Sequence, residues 1–234
     1  MVVGLGLIGT GFMGKAHALA YGAARAVFGD VPAVRMACLC DAEPARARAF
    51  ADQFGFAAAT SDWRAVIADP AVDLVSITTP NALHRDMALA AIAAGKAVHC
   101  EKPLALTLAD AQAMAKAADA AGVATLVGYN YVHNPAFTHA CRLIAEGVIG
   151  KPVHFRGWVD EDYQADGDLA WTWRARRADA GLGALGDLGC HLVSMAVALM
   201  GPIASLIADT QIVHATRLMP DGSGDAAVEN EDTA

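Results

Sequence analysis

The sequence is poor in basic residues and gathers none of them into a run. Its 17 Lys and Arg stand against 25 Asp and Glu, a formal charge of -8. The tightest basic group is Arg174, Arg176 and Arg177. Backbone phosphates are held by clustered cations, so a nucleic acid is excluded as the expected partner, and the three arginines read as a solvated face. Paired cysteines are also lacking. Cys38, Cys40, Cys100, Cys141 and Cys190 are odd in number and form no C-x-x-C pair. That pattern argues against a disulfide framework and suits a reducing cytoplasm, with the thiols packed as small apolar groups. Cys190, His191 and His99 match no known ligand spacing, so no metal is expected. The opening MVVGLGLIGTG lacks the basic segment and cleavage site of a secretory signal. Leu188 to Ala208 has the length of a membrane span, but His191, Ser194 and the breaker pair Gly201-Pro202 divide it into a helix and a strand. No membrane partner is expected.

What is present is core material. With 234 residues, 55% of them hydrophobic, and a mean hydropathy of +0.34, the chain has room for a large domain or a domain and a half, and disorder is excluded. Aliphatic runs alternate with helical patterns. Strands are expected at Val2–Ile8, Val34–Cys40, Leu74–Thr78, Ala97–Cys100 and Ala124–Gly128. Helices are expected at Phe12–Val27, Glu43–Phe54, Ala82–Ala94 and Leu108–Ala121. Continuous apolar strands in a βαβ rhythm indicate a doubly wound parallel α/β sheet. The texture changes near residue 129. A helix over Pro135–Glu146, a long strand from GKPVHFRGWVDED, a helix holding Asp187 and His191, and a strand over Ile203–Val213 are expected there, with a polar loop at the end. The division is therefore 1–128, the doubly wound α/β domain, and 129–234, a second domain of α+β texture.

Two overlapping strings satisfy G-x-G-x-x-G, starting at Gly4 and at Gly9. Only the second has a full strand before it and a helix opening inside it, as a dinucleotide turn requires. In that register Gly9 permits the turn, Gly11 lets a pyrophosphate approach the backbone, and Gly14 allows helix to pack on strand. The anion would rest on the helix N-terminus. Asp41, at the end of the second strand, can accept bonds from an adenosine ribose. Its charge repels a 2′-phosphate and favours NAD over NADP, with Arg46 and Arg48 further along the next helix. Glu101, Lys102 and Pro103 follow the carboxyl end of another strand, where open α/β sheets bind ligands. Pro103 keeps Lys102 extended, and a cis Lys-Pro bond would aim the side chain at the crevice.

The stretches GLIGTGFMGKAHALAY, TTPNALH, CEKPLA, GYNY..NP and GLGALGDLGCH occur in this order between residue 2 and about residue 201. On them the chain resembles the Gfo/Idh/MocA family of NAD(P)-dependent sugar and polyol dehydrogenases, and looks most like members acting on levoglucosan or inositols. The resemblance implies a Rossmann domain in which Gly9, Thr10, Gly11, Phe12 and Met13 hold the pyrophosphate and Asp41 the ribose. Thr79, Pro80, Asn81 and His84 would line the cofactor cleft, with Glu101 and Lys102 on the nicotinamide side. It implies Lys102, Asp187 and His191 as the catalytic set, and Asn130, Trp173 and Arg174 as substrate contacts. Val132 and Ser194 depart from the family pattern near the expected substrate pocket. The resemblance makes 1–128 the nucleotide-binding domain and 129–234 a substrate and oligomerisation domain with an open mixed sheet. Family members continue well beyond Ala234, so a C-terminally truncated chain is expected, homo-oligomeric in its full-length form.

The chemistry implied is the oxidation of a secondary alcohol of a sugar, anhydrosugar or inositol. Asp187 and His191, four apart, would share one helix face and point at the crevice. His191 would accept the hydroxyl proton, a task suited to a group that titrates near neutrality. Lys102 would stabilise the developing oxyanion. Asp187 would bind another hydroxyl or tune the two cations. NAD-dependent glycoside hydrolysis through transient oxidation and a non-catalytic NAD-binding regulator are the alternatives.

Overall fold

A computed structural model describes the whole chain, residues 1–234, as two compact units, Met1–Gly128 and Tyr129–Ala234. The first unit runs β1 (Val2–Ile8), α1 (Phe12–Phe28), β2 (Ala33–Cys40), α2 (Pro44–Phe54), β3 (Ala58–Thr60), α3 (Trp63–Ala68), β4 (Leu74–Ile77), α4 (His84–Ala93), β5 (Ala97–Cys100), α5 (Leu108–Ala121) and β6 (Thr125–Val127). All six strands are parallel, in the order β3-β2-β1-β4-β5-β6. That order is the Rossmann arrangement, with its reversal between β1 and β4.

Side chains alternate across a strand, so a sheet covered on both faces has two cores. Leu5, Leu7 and Leu39 pack with Ala18 of α1 and Phe50 and Ala51 of α2. Ile8, Cys38, Cys40, Val75, Ile77, Val98 and Cys100 pack with Val66 of α3, Met87 and Ala91 of α4, and Met114 of α5. Capping fixes where helices begin. The carboxylate of Asp62 accepts the Arg64 amide at α3, and Thr107 Oγ1 accepts the Asp110 amide at α5. The sequence does not announce β3 or α3, because Ala-Ala-Thr carries no apolar pattern and the helix is too short to repeat one. The expected helix at Ala82 starts as a 3₁₀ turn, Asn81–Leu83, and becomes α-helical at His84.

In the second unit, α6 (Pro135–Ala145) is capped by the Asn134 side chain. A 3₁₀ turn at Trp173–Ala175, α7 (Arg177–Ala180), a π-helical turn at Leu185–Gly189 and α8 (Cys190–Met200) follow. The only sheet here is the antiparallel pair β7 (Thr216–Leu218) and β8 (Asp225–Ala227). This corrects two expectations. The segments read as strands near residues 151–163 and over Ile203–Val213 form no ladder, apart from a single bridge between Gln211 and Thr233. An extended segment becomes a strand only against a partner, and the pairing instead lies in the tail that reads as a polar loop. Val153, Trp158, Leu206 and Ile207 are left exposed.

Both apolar clusters belong to the first unit; the second buries only Ala175 and Ala180 among its apolar residues. Hydrogen bonds hold the second unit instead. Buried Arg217 donates to the carbonyls of Gln164 (2.6 Å) and Asp166 (2.7 Å). Trp171 Nε1 donates to the Ala227 carbonyl (3.0 Å), and Asp232 accepts the amides of Val213 and His214. The run Arg177–Met200 is long and apolar enough to cross a membrane by composition alone. It is broken by a bend at Gly181–Gly183 and carries Asp187 and the buried His191.

Leu39 has no exposed surface and no polar neighbour within its cluster. Leu39→Ala is expected to lower stability by about 2–5 kcal/mol, read as a shift in the urea unfolding midpoint. An unchanged midpoint would mean that the core is not built on this face.

Candidate active site

Four strand ends of the first unit deliver the groups that the sequence singles out. After β1, Gly9 takes φ +105°, the left-handed side that only glycine enters without strain. Its amide donates to the Cys40 carbonyl (2.8 Å), and Thr78 Oγ1 donates to its carbonyl (3.1 Å). A Cβ on Gly14 would stand 2.3 Å from that same carbonyl oxygen, so α1 leaves in contact with the turn. Gly11 faces open space and caps α1 without a side-chain acceptor. The first amides of the helix therefore have no acceptor within it, the arrangement an anion requires. Phe12 is exposed and Met13 half-buried beside them.

At the end of β2 the carboxylate of Asp41 is nearly buried. One oxygen accepts from the Glu43 amide (3.0 Å) and from Arg46 Nε (3.0 Å) and Nη2 (2.6 Å). The other accepts from the Thr10 amide (3.1 Å) and the Thr10 hydroxyl. Burial alone would raise its pKa, but the bonds from Arg46 and Thr10 outweigh it, and Asp41 lies below the usual carboxylate range. Thr10, expected against a pyrophosphate, directs both its amide and its hydroxyl to Asp41.

Thr79, Pro80 and Asn81 follow β4 and are half-buried. His84, expected to line the cleft, does not reach a surface. It is fully buried, with Nδ1 2.9 Å from the Pro103 carbonyl and Nε2 3.0 Å from the Thr79 carbonyl. Burial pushes its pKa down despite the two carbonyls. After β5, Lys102 is half-buried and its bond to Pro103 is cis. Glu101, expected on the nicotinamide side, turns its carboxylate inward: it is 4% exposed, with Oε1 2.9 Å from His17 Nε2 and Oε2 accepting the Lys102 amide (3.1 Å). Burial would raise its pKa; the His17 bond and charge and the Lys102 amide bring it below the usual range.

In the second unit Asp187 sits in the π-helical turn and His191 in the first turn of α8. The expected regular helix over both is thus widened at its start, a distortion common at functional positions. Asp187 Oδ2 accepts from Tyr163 (2.5 Å) and Arg174 Nε (3.1 Å), and the Arg174 guanidinium lies 4.5 Å from the centre of the Trp173 ring. Burial and then the bond to Asp187 push the Tyr163 phenol up. His191 is buried, stacked on Tyr131 at 4.2 Å and edge-on to Tyr129 at 6.1 Å. Asn130 is exposed in the same short turn as Tyr131.

The turn before Asp187 is tied to the chain's tail. Buried Glu231 accepts the amides of Gly183 (2.8 Å) and Leu185 (3.0 Å), and its carbonyl accepts that of Ala184 (2.8 Å). Asn230 Nδ2 donates to the Arg174 carbonyl (2.7 Å). Sequence reasoning gives His17, Tyr131, Tyr163 and Glu231 no role, although His17 and Tyr131 lie inside quoted motifs, because each acts on partners many residues away. The one available hint is the spacing of Gly14 and His17, which puts an imidazole one turn into the helix behind the glycine turn.

A six-stranded parallel sheet with a glycine turn at its reversal and a carboxylate closing the second strand defines a dinucleotide-binding fold. Residues 3–129 match the GFO/IDH/MocA description "Oxidoreductase family, NAD-binding Rossmann fold", and residues 137–234 match its C-terminal domain. The chain belongs to this family. It is 41% identical over 223 residues to levoglucosan dehydrogenase of Pseudarthrobacter phenanthrenivorans, covering 95% of this chain and 57% of that protein. It is 33% identical over 153 residues to scyllo-inositol 2-dehydrogenase (NAD(+)) of Bacillus subtilis, 65% of this chain and 43% of that one. A solved levoglucosan dehydrogenase in complex with NADH superimposes with TM-score 0.95 at 38% identity over 99% of this chain and 62% of that one. The chain therefore spans about half the length of the curated relatives it matches.

The pKa directions fix an acid response. His84 lies below its ordinary 6.5 when folded, so the unfolded chain binds a proton that the native state refuses, and stability falls as pH drops below about 6.5. Glu101 lies below its ordinary 4.5, so its contribution is present above that pH and is lost as pH falls through the folded value. Urea midpoints measured from pH 7.5 to 4 are expected to decline in both ranges. His84→Gln should flatten the upper decline and leave the lower one. A wild-type midpoint constant between pH 7 and 5 would contradict this.

Proposed function

We propose that the chain carries the cofactor and catalytic machinery of an NAD-dependent dehydrogenase that oxidises a secondary hydroxyl of a sugar, anhydrosugar or inositol. The observation that carries the reading is the grouping of the Gly9–Gly14 turn, Asp41 and Lys102 at the carboxyl ends of β1, β2 and β5. The residues fit the dinucleotide. Gly11 opens onto empty space at an uncapped helix start, and Asp41 remains ionised for ribose hydroxyls. Gly9, Gly11, Phe12 and Met13 would hold the pyrophosphate, Asp41 the adenosine ribose, and Thr79, Pro80 and Asn81 the flank of the nucleotide. Thr10 would act by fixing Asp41. The named activities of the relatives, on levoglucosan and scyllo-inositol, support the substrate class.

Bound NAD supplies the hydride acceptor. The substrate carbon gives up its hydrogen as hydride while its hydroxyl loses a proton, and a ketone results. His191 accepts that proton and is held in orientation by Tyr131 and Tyr129. Lys102 stabilises negative charge developing on a substrate oxygen. Asp187, fixed by Tyr163 and Arg174, takes a neighbouring substrate hydroxyl, and Asn130, Trp173 and Arg174 complete the contacts to the sugar. Residues 129–234 serve as the substrate and oligomerisation domain. Exposed Val193, Val197 and Met200 on α8 support homo-oligomer formation. Five cysteines with no C-x-x-C pair among them, three of them buried, support a cytoplasmic location, and the acidic charge speaks against a nucleic-acid partner.

The test follows NADH absorbance with NAD⁺ and a panel of inositols, aldoses, anhydrosugars and aryl glycosides. NADH should accumulate with at least one of them, Lys102→Ala should lower kcat by about 10²-fold or more, and Asp41→Ser should raise the use of NADP⁺ relative to NAD⁺. Release of an aglycone without NADH would indicate glycoside hydrolysis, and NADH binding without turnover on the whole panel a regulator. Either result removes the dehydrogenase reading.

A further inference from the structure

Two buried histidines, neither used by the proposed chemistry, grip the segment that carries Lys102. His17 lies on α1, 84 residues from Glu101 in sequence, and is 7% exposed. Its Nε2 is 2.9 Å from Glu101 Oε1, and its Nδ1 is 2.8 Å from Oγ of Ser76, a residue of β4 with no exposed surface. The second oxygen of Glu101 accepts the main-chain amide of Lys102. Gly128 closes the carboxylate in from β6, where a Cβ would come within 2.5 Å of Oε1. The His17 ring stacks on His99 of β5 at 4.4 Å, and Tyr21 Oη lies 2.8 Å from His99 Nδ1. On the other side of the segment, His84 spans the carbonyls of Pro103 and Thr79.

A carboxylate this buried is costly unless it is satisfied. Both of its oxygens face protein donors, His17 and the Lys102 amide. The pair is better explained by what it holds. The Glu101 carboxylate sets the position of the Lys102 amide, and His84 sets the next carbonyl but one. The backbone of residues 101–103 is thereby fixed from α1 and from α4.

We propose that His17 is a positioning residue for Lys102, acting through the Glu101 carboxylate, with His84 as its counterpart on Pro103. This rests on the catalytic role assigned above to Lys102. The physical reason is the steepness of catalysis with distance: a displacement of about 1 Å costs on the order of 10²-fold in rate. A lysine on a loop end keeps that tolerance only if its backbone cannot drift.

The test compares His17→Leu, which removes both ring nitrogens, with His17→Gln, whose amide can still donate to Glu101. His17→Leu should lower kcat by about 10–100-fold while the sugar KM and the NAD⁺ Kd stay within about twofold, and His17→Gln should recover most of the loss. A second readout needs no turnover. Trace labelling with acetic anhydride, read by mass spectrometry against exposed Lys116, should change the Lys102 rate several-fold in His17→Leu and little in His17→Gln. If His17→Leu does not fold, Glu101→Gln takes its place and should alter Lys102 labelling in the same way. Unchanged Lys102 labelling and kcat in a folded variant, whether or not its Tm falls, would overturn the proposal. Failure of the wild-type chain to oxidise any substrate would remove the dehydrogenase reading, yet the labelling comparison would still decide whether His17 positions Lys102.

Discussion

A parallel sheet brings the carboxyl ends of all its strands to one edge, and where the strand order reverses the helices part to opposite faces. In this chain the reversal falls between β1 and β4. Everything assigned to the site in the first unit follows from that single constraint. Gly9 turns away from β1, Asp41 closes β2, Thr79 to Asn81 leave β4 and Lys102 leaves β5, all at the same edge. The close fit of Gly14 on the Gly9 carbonyl brings the start of α1 to that edge as well.

The edge is stiffened by polar groups set just beneath it. Asp41 is clasped by Thr10 and Arg46, Glu101 by His17 and the Lys102 amide, and the carbonyls of Pro103 and Thr79 by His84. These are buried polar networks with named partners, the form in which buried charge is tolerable. The second unit solves its problem differently. Lacking an apolar cluster, it relies on buried Arg217 and Glu231 and half-buried Asp232 to collect main-chain groups, and Glu231 anchors the turn from which Asp187 and His191 project.

The sheet was legible because its central strands are continuous apolar runs separated by helical periods, and β3 was not because three small residues carry no pattern. The cofactor register was legible from the length of strand available before each glycine string. The strands expected near residues 151–163 and 203–213 failed for a stated reason: β-propensity names a segment able to pair, whereas pairing itself depends on a neighbour. At the site, sequence spacing singled out Asp41, Lys102, Asp187 and His191, whereas the inward turn of the Glu101 and His84 side chains could not be read from it. Orientation at a strand end is decided by partners such as His17 and Pro103, which lie many residues away.

The proposed dehydrogenase chemistry requires direct hydride transfer from a sugar carbon to NAD. It is tested most directly with a substrate carrying deuterium at the carbon to be oxidised. The reduced nicotinamide should carry that deuterium, and kcat/KM should fall relative to the protiated substrate. Reduced cofactor without the label, or a labelled substrate whose deuterium passes to water, would contradict it.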